Sequence, residues 1–285
     1  MGIHSVDLIH TIVLVILAVG LGVTYGLRVM RRGRAHFDRV DKQGGSVFLS
    51  KALMEMAYWG MQPVARLLVG CRITPNSLSW SSFFFGLSAG LSLAYGHFGV
   101  AGVFSGISGV LDSLDGMVAR LTGQSSDAGE VLDAAVDRYA EFFFLGGLVL
   151  YYREVPSLQL LALLALLGCF MVSYSTAKAE ALGIDPPKSS MRRPERAFYL
   201  TLGAILSPVS IASFELVSGG GGKPYAYPMI FAMALVGIVS NFSAVERFVV
   251  LARKIREREK SMAQTQQGIA QVSAQESSHQ ILVTR

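Results

Sequence analysis

Seven stretches of roughly twenty mostly apolar residues occupy most of this 285-residue chain. That is the length an α-helix needs to cross the hydrocarbon core of a bilayer. The stretches fall at about Leu8–Leu27, Asn76–Phe98, Val100–Leu121, Glu130–Tyr151, Leu158–Ala181, Arg196–Val217 and Tyr227–Leu251. Backbone groups in lipid have no water to bond, so each run must close its hydrogen bonds internally as helix. Composition agrees: 52% of residues are hydrophobic and only 16% charged, against about 25% charged in ordinary soluble domains. The expected fold class is an all-α integral membrane protein. It has a six-helix transmembrane core, an extra N-terminal transmembrane helix and a juxtamembrane amphipathic helix.

The spaces between the runs divide the chain. Residues 1–34 form an N-terminal anchor ending at Arg28, Arg31, Arg32 and Arg34. It lacks the basic start and small-residue cleavage site of a signal peptide. Residues 35–75 form a cytoplasmic segment in which Lys51–Gly70 mixes Leu, Met, Tyr and Trp with Lys51, Glu55 and Arg66, as a helix lying in the interface does. Pro63 is expected to bend or break it. Residues 76–252 are the core, and residues 253–285, basic and then rich in Gln, Ser and Ala, form a cytoplasmic tail expected to be disordered.

Charge orients the whole. With the N-terminus outside, the external links carry Arg153 and Lys223, and almost every other Lys or Arg lies on the cytoplasmic side, as the positive-inside rule requires. The net charge of +5 then reflects topology rather than nucleic-acid binding. The expected location is the bacterial cytoplasmic (inner) membrane, with the active site facing the cytoplasm. Cys71 and Cys169 are read as packing residues, and Trp59, Trp80, Tyr151 and Tyr152 as interfacial anchors. His4, His10, His36, His97 and His279 show no ligand spacing.

Two adjoining apolar runs carry acids where lipid disfavours them. Asp112 and Asp115 close the third run, and Asp133 and Asp137 open the fourth. Each charge within a membrane helix costs roughly 3 kcal/mol, so such residues are functional candidates. Spacings of three and four put each pair on one helix face, and the short link makes the helices antiparallel with both pairs at one end. Four carboxylates in one pocket need counter-charge. Hard divalent cations supply it through oxygen ligands, and four ligands suffice for a two-metal site serving phosphoryl displacement. Gly116 and Ala119 keep bulk away from the acids, and Arg120 offers positive charge to phosphate.

The run Asp112-x2-Asp115-Gly116-x2-Ala119-Arg120-x8-Gly129-x3-Asp133-x3-Asp137 resembles the signature of the CDP-alcohol phosphotransferase family at every fixed position over 26 residues. The resemblance covers about residues 60–250. It implies that Asp112, Asp115, Asp133 and Asp137 bind two divalent cations, Mg²⁺ or Mn²⁺, and that Asp137 is also the catalytic base. Thr74-Pro75-Asn76-Ser77 looks like the family's Thr-Pro-Asn segment. With Gly116, Ala119, Arg120 and Ser126 it would surround the CDP group of CDP-diacylglycerol, while Thr74 also reads as a helix cap.

Ser175, Lys178 and the Arg193-Pro-Glu-Arg196 element are similar to the branch that makes phosphatidylinositol phosphate. There they would bind the acceptor's phosphate with a basic residue of the last helix, assigned to Arg247 on position alone. No Gly-Lys-x-Lys-Thr element of the glycerol-phosphate-using branch is present. A homodimer is the assembly the family suggests. Glu141 and Arg138 are read blandly, as a cavity-lining acid and a neutralising or interfacial base. The implied reaction transfers a phosphatidyl group from CDP-diacylglycerol to an alcohol and releases CMP; inositol phosphate is the expected acceptor, with glycerol phosphate, another polyol phosphate or an amino alcohol as the alternative. A membrane cation transporter is the rival class, since intramembrane acids also mark ion paths. It predicts acids spread through the membrane depth.

Overall fold

The computed structural model describes residues 3–37, 40–41, 50–186, 190–218 and 225–283, and these are helical or irregular, with no strand among them. The helices are α1 (Ile3–Arg32), α2 (Lys51–Gly70), α3 (Pro75–Ala94), α4 (Phe98–Thr122), α5 (Asp127–Tyr151), α6 (Pro156–Ala181), α7 (Arg193–Ser218) and α8 (Tyr227–Val283). Lys223 and the Gly219–Gly222 run lie outside the described residues.

Among the described residues, four segments are long and apolar enough to cross a membrane: Val6–Arg32, Pro156–Ala181, Arg193–Phe214 and Tyr227–Gln267. The chain is an integral membrane protein. Helices α3, α4 and α5 are more polar, carrying serines, glycines and the acids.

The helix packing closes on itself: α3 lies on α4, α4 on α7, α7 on α8, α8 on α6, α6 on α5 and α5 back on α3. Small residues make the approaches close, as membrane helices require. A Cβ placed on Gly147 of α5 would stand 2.2 Å from the carbonyl oxygen of Gly90 on α3. Ser82 and Ser108 donate to each other's carbonyl oxygens at 3.0 and 2.9 Å, stitching α3 to α4. The apolar core between the helices includes Leu93, Phe98, Leu145, Leu148, Met229 and Met233.

Helix α1 packs outside this ring, on α4 and α7, and touches α2. Its Asp7 is buried and accepts from the backbone N–H of Val100 at 3.1 Å, with His97 Nδ1 3.4 Å away. His97, at the N-cap of α4, makes no side-chain capping bond. Asp7 therefore supplies from another helix the acceptor that the positive end of α4 lacks.

Several expectations need correction. Pro63 sits inside α2 without ending it. The tail expected to be disordered is helical to Val283; it is tethered at its base, where Lys254 and Arg258 donate to the carbonyls of Asp185 and Leu182 beyond the end of α6. Those carbonyls have no helical partner, so cations there are favourable. Tyr152 is a core residue, 3% exposed, and not an interfacial anchor. Cys169 packs in the core, but Cys71 is exposed.

Candidate active site

The turn between α4 and α5 sets the site. Gly123 ends α4 in the left-handed conformation (φ 68°) that glycine adopts without strain, and three residues on Ser126 starts α5, its Oγ accepting from the N–H of Gly129 at 3.1 Å. So tight a reversal brings the two acidic faces opposite one another. One carboxylate oxygen each from Asp112, Asp133 and Asp137 lies within 4.8 Å of the others. Asp115 stands apart from this group, held by Ser79 of α3, whose hydroxyl donates to Oδ2 at 2.6 Å.

The acids are buried or half-buried, and Asp133 Oδ1 is buried without a hydrogen-bond donor among the described residues. An orphaned buried carboxylate oxygen is costly unless something cationic meets it. The donor set, all hard oxygen, is that of a divalent-cation site. The residues present fit Mg²⁺ or Mn²⁺.

Protein cations also reach in. Arg193, the first residue of α7, grips Asp112 through two bonds of 2.8 and 3.0 Å and pairs with Asp137. A planar guanidinium suits such bidentate contact. Arg138 lies 2.8 Å from Glu141 and 3.8 Å from Asp137, and donates to Ser173 of α6. Arg196, only 1% exposed, spends its donors on Glu141 (2.8 Å), the Met191 carbonyl (2.9 Å) and Ser173 (3.4 Å). Glu141, which lines a small cavity beside Asp137 as expected, is also the buried counter-ion of two arginines.

Two cavities open on the acids, and a third adjoins them through Arg193. One of about 440 Å³ lies between α3 and the α4–α5 turn and is lined by Pro75, Asn76, Gly116, Ala119, Arg120 and Ser126, together with Ser79, Gln124, Ser125, Asp115 and Asp133. Thr74 and Ser77 do not line it. Thr74 Oγ1 accepts from the Ser77 N–H at 3.3 Å while the Ser77 hydroxyl donates to the Thr74 carbonyl at 2.7 Å, so both serve the start of α3.

A second cavity of about 330 Å³ lies under α2, with Met54, Ala57, Tyr58 and Met61 on one wall and Asp112, Asp115, Asp133 and Arg193 on the other. A third, of about 770 Å³, is basic: Arg138, Arg192, Arg193, Arg196 and Arg247 face it with Ser173 and Thr176. Arg247 donates to Thr176 Oγ1 at 2.8 Å.

Of the residues expected in that basic pocket, Ser175 and Lys178 are not on its wall. Ser175 is buried, its hydroxyl donating to the Val172 carbonyl of its own helix at 2.6 Å. Lys178 is exposed. A turn of roughly 100° per residue separates their faces from those of Ser173 and Thr176. Arg138, read as a neutralising or interfacial base, does pair with acids; Ser173 and Thr176 were missed because nothing in their local sequence distinguishes them from helix packing.

The model of the CDP-alcohol phosphatidyltransferase family matches residues 72–239, more than half of the chain. The chain belongs to that family. A phosphatidylinositol phosphate synthase of Corynebacterium glutamicum is 30% identical over 200 residues, covering 68% of this chain and 84% of the relative. A crystal structure of the Mycobacterium tuberculosis phosphatidylinositol phosphate synthase with CDP-DAG bound shares 25% identity at a TM-score of 0.57, covering 67% of this chain and 92% of that one. The same enzyme in complex with manganese and citrate shares the fold at a TM-score of 0.58 and 24% identity.

As a CDP-alcohol phosphatidyltransferase the chain is an enzyme of phospholipid synthesis that works with divalent cations. The cation-transporter reading has no support: the acids are gathered at one place, not spread along a path.

Proposed function

We propose that this enzyme transfers the phosphatidyl group of CDP-diacylglycerol to inositol phosphate, or a closely similar polyol phosphate, and releases CMP. The observation that carries the reading is that two chemically different cavities open on one acidic cluster and a third, basic one adjoins it through Arg193, which pairs with Asp112 and Asp137. The polar cavity by Asn76, Arg120 and Ser126 suits a nucleotide. The cavity under α2 has an apolar wall for a lipid. The basic one suits an acceptor with a phosphate, since five guanidinium groups line it and guanidinium is a good match for phosphate oxygens. The synthase of C. glutamicum is named for an inositol phosphate product, and the same acceptor class is proposed here.

In this reading the acceptor hydroxyl attacks the lipid-side phosphorus, the bond from that phosphorus to the CMP oxygen breaks, and CMP departs. Asp137 takes the hydroxyl proton, a task within reach of a carboxylate beside the basic cavity. Asp112, Asp115, Asp133 and Asp137 would hold a pair of Mg²⁺ or Mn²⁺ ions, which supply charge stabilisation to the entering and leaving oxygens. Arg193 would bridge the acids and the acceptor cavity, ready to exchange carboxylate for phosphate. Asn76, Gly116, Ala119, Arg120 and Ser126 would orient the CDP group, and Arg192 and Arg247 the acceptor's phosphate.

The wider picture follows the same reading. Helices α3–α8 form a six-helix transmembrane core over residues 76–252, α1 is an additional membrane anchor, and α2 lies at the interface. The active site faces the cytoplasm of a bacterial inner membrane, and the protein works as a homodimer. The test is CMP release from CDP-diacylglycerol by purified protein with Mg²⁺ or Mn²⁺ across inositol phosphate, glycerol phosphate, inositol and serine. Inositol phosphate is expected to give the highest kcat/KM. A neutral acceptor winning would overturn the phosphate pocket, and no CMP with any acceptor would overturn the whole reading.

A further inference from the structure

The family match begins at residue 72, so α1 and α2 both precede it, yet they are built onto the site. Helix α2 has two working faces. Met54, Ala57, Tyr58 and Met61, at spacings of three and four, form the wall of the cavity whose opposite side is Asp112, Asp115, Asp133 and Arg193. Glu55 and Trp59, also four apart, meet α1. The Tyr25 hydroxyl of α1 donates to Glu55 Oε2 at 3.4 Å, and the Tyr25 and Trp59 rings lie 5.5 Å apart. Arg28 sits 6.0 Å from the centre of the Trp59 ring. Gly60 completes the contact: a Cβ there would stand 2.9 Å from Leu21 Cδ1.

Tyr25 and Glu55 are both buried, at 7% and 4% exposure. An amphipathic helix that only floated on a membrane would not bury a carboxylate. Glu55 is instead enclosed between Tyr25 and Lys51, whose Nζ is 4.0 Å away and also pairs with Asp41. At its other end α1 is fixed to the bundle by Asp7 against α4 and by Thr11, which donates to the Ile205 carbonyl of α7 at 2.8 Å. One rigid rod therefore joins the α4–α7 framework to the back of the helix that walls the lipid-side cavity. A site is only as well defined as the shell that holds its walls.

We propose that α1 is a positioning element for the activated donor lipid. Through Tyr25 and the Leu21–Gly60 contact it presses α2 into the place where Met54, Tyr58 and Met61 form the lipid-side wall of the active site. The proposal rests on the reading of the donor as a CDP-linked lipid. Tyr25 and Glu55 touch neither reacting group, so they act on donor binding alone.

The test uses the full-length protein in detergent–lipid micelles. Donor and acceptor KM are measured separately, with equilibrium binding of CDP-diacylglycerol in the absence of acceptor. Tyr25→Ala is expected to raise donor KM and donor Kd on the order of five- to tenfold, as the loss of a hydrogen bond with its packing implies. Acceptor KM and kcat should stay within about twofold. Tyr25→Phe, which keeps the ring on Trp59, should recover most of the loss. Gly60→Val, which crowds the Leu21 side chain at the α1–α2 contact, should reproduce it and provides the reading if Tyr25→Ala does not fold.

Donor KM and Kd unchanged in the folded variants, or a parallel loss in kcat and both KM values, would overturn the proposal while leaving the reaction assignment intact. Wild-type protein that neither binds nor turns over CDP-diacylglycerol would overturn both.

Discussion

In the proposed reaction, Asp137 is the residue on which the chemistry turns. It sits at the crossing of the metal-ligand group and the arginines, with Arg193 on one side and Arg138 on the other. Asp137→Asn keeps the shape but removes the proposed proton acceptor and one proposed anionic ligand. Turnover is expected to fall by a factor of about 10³ or more, measured as CMP release at saturating donor, acceptor and metal. Donor binding measured without turnover should fall far less, because the nucleotide cavity does not include Asp137. Equal losses in both would mean that the residue organises the site rather than acting in it.

At the scale of helices, the site depends on how closely α3 and α5 approach. Gly147 lets the two backbones touch, and a methyl group there has nowhere to go except into the Gly90 carbonyl. Gly147→Ala is expected to destabilise the protein by about 1–3 kcal/mol, the usual penalty of overpacking a close contact. Its neighbour provides the control, since a Cβ on Gly146 meets nothing within 4 Å. Thermal unfolding in detergent should therefore drop clearly for Gly147→Ala and stay near wild type for Gly146→Ala. Similar behaviour of the two would mean that the α3–α5 contact is slack. The shift of α5 in the first variant also moves Asp133 and Asp137, so its activity should fall more than its stability alone explains.

For the whole molecule, the acids and arginines form one coupled electrostatic unit at the junction of three cavities. Chelation with EDTA is expected to abolish CMP release reversibly, and excess Mg²⁺ or Mn²⁺ to restore it. Metal should also raise the thermal midpoint, because a cation bound only by the folded state stabilises it by mass action. The two readouts separate a catalytic metal from a merely structural one: activity that survives complete chelation would rule out the metal site. The same unit explains why the arginine-rich turn before α7 is so firmly built. Met191 holds a positive φ of 58° while fully buried, and its carbonyl accepts from Arg196. That places Arg192 and Arg193 at the cavity mouth instead of in solvent.

The apolar runs, the acid spacings and the small residues beside them were legible in the sequence, because helix periodicity and the cost of charge in lipid are local rules. They were enough to mark the helices, the metal-ligand candidates and much of the lining of the cavity between α3 and the α4–α5 turn. The acceptor side was not legible in the same way. Arg193 and Arg196 were visible as charge, but only the packing shows that their donors are taken up by Asp112, Asp137 and Glu141. Ser175 and Lys178 do not line the basic cavity, whereas Ser173 and Thr176 do, since a one- or two-residue step rotates a side chain to another face of the same helix. Asp7 and Glu55 are hidden in the same sense: each lies in an unremarkable stretch, and its partner comes from a helix far along the chain. Sequence by itself determined which elements exist and which residues carry charge; tertiary structure alone decided which charges meet, because contacts between distant helices depend on the close approaches their small residues permit.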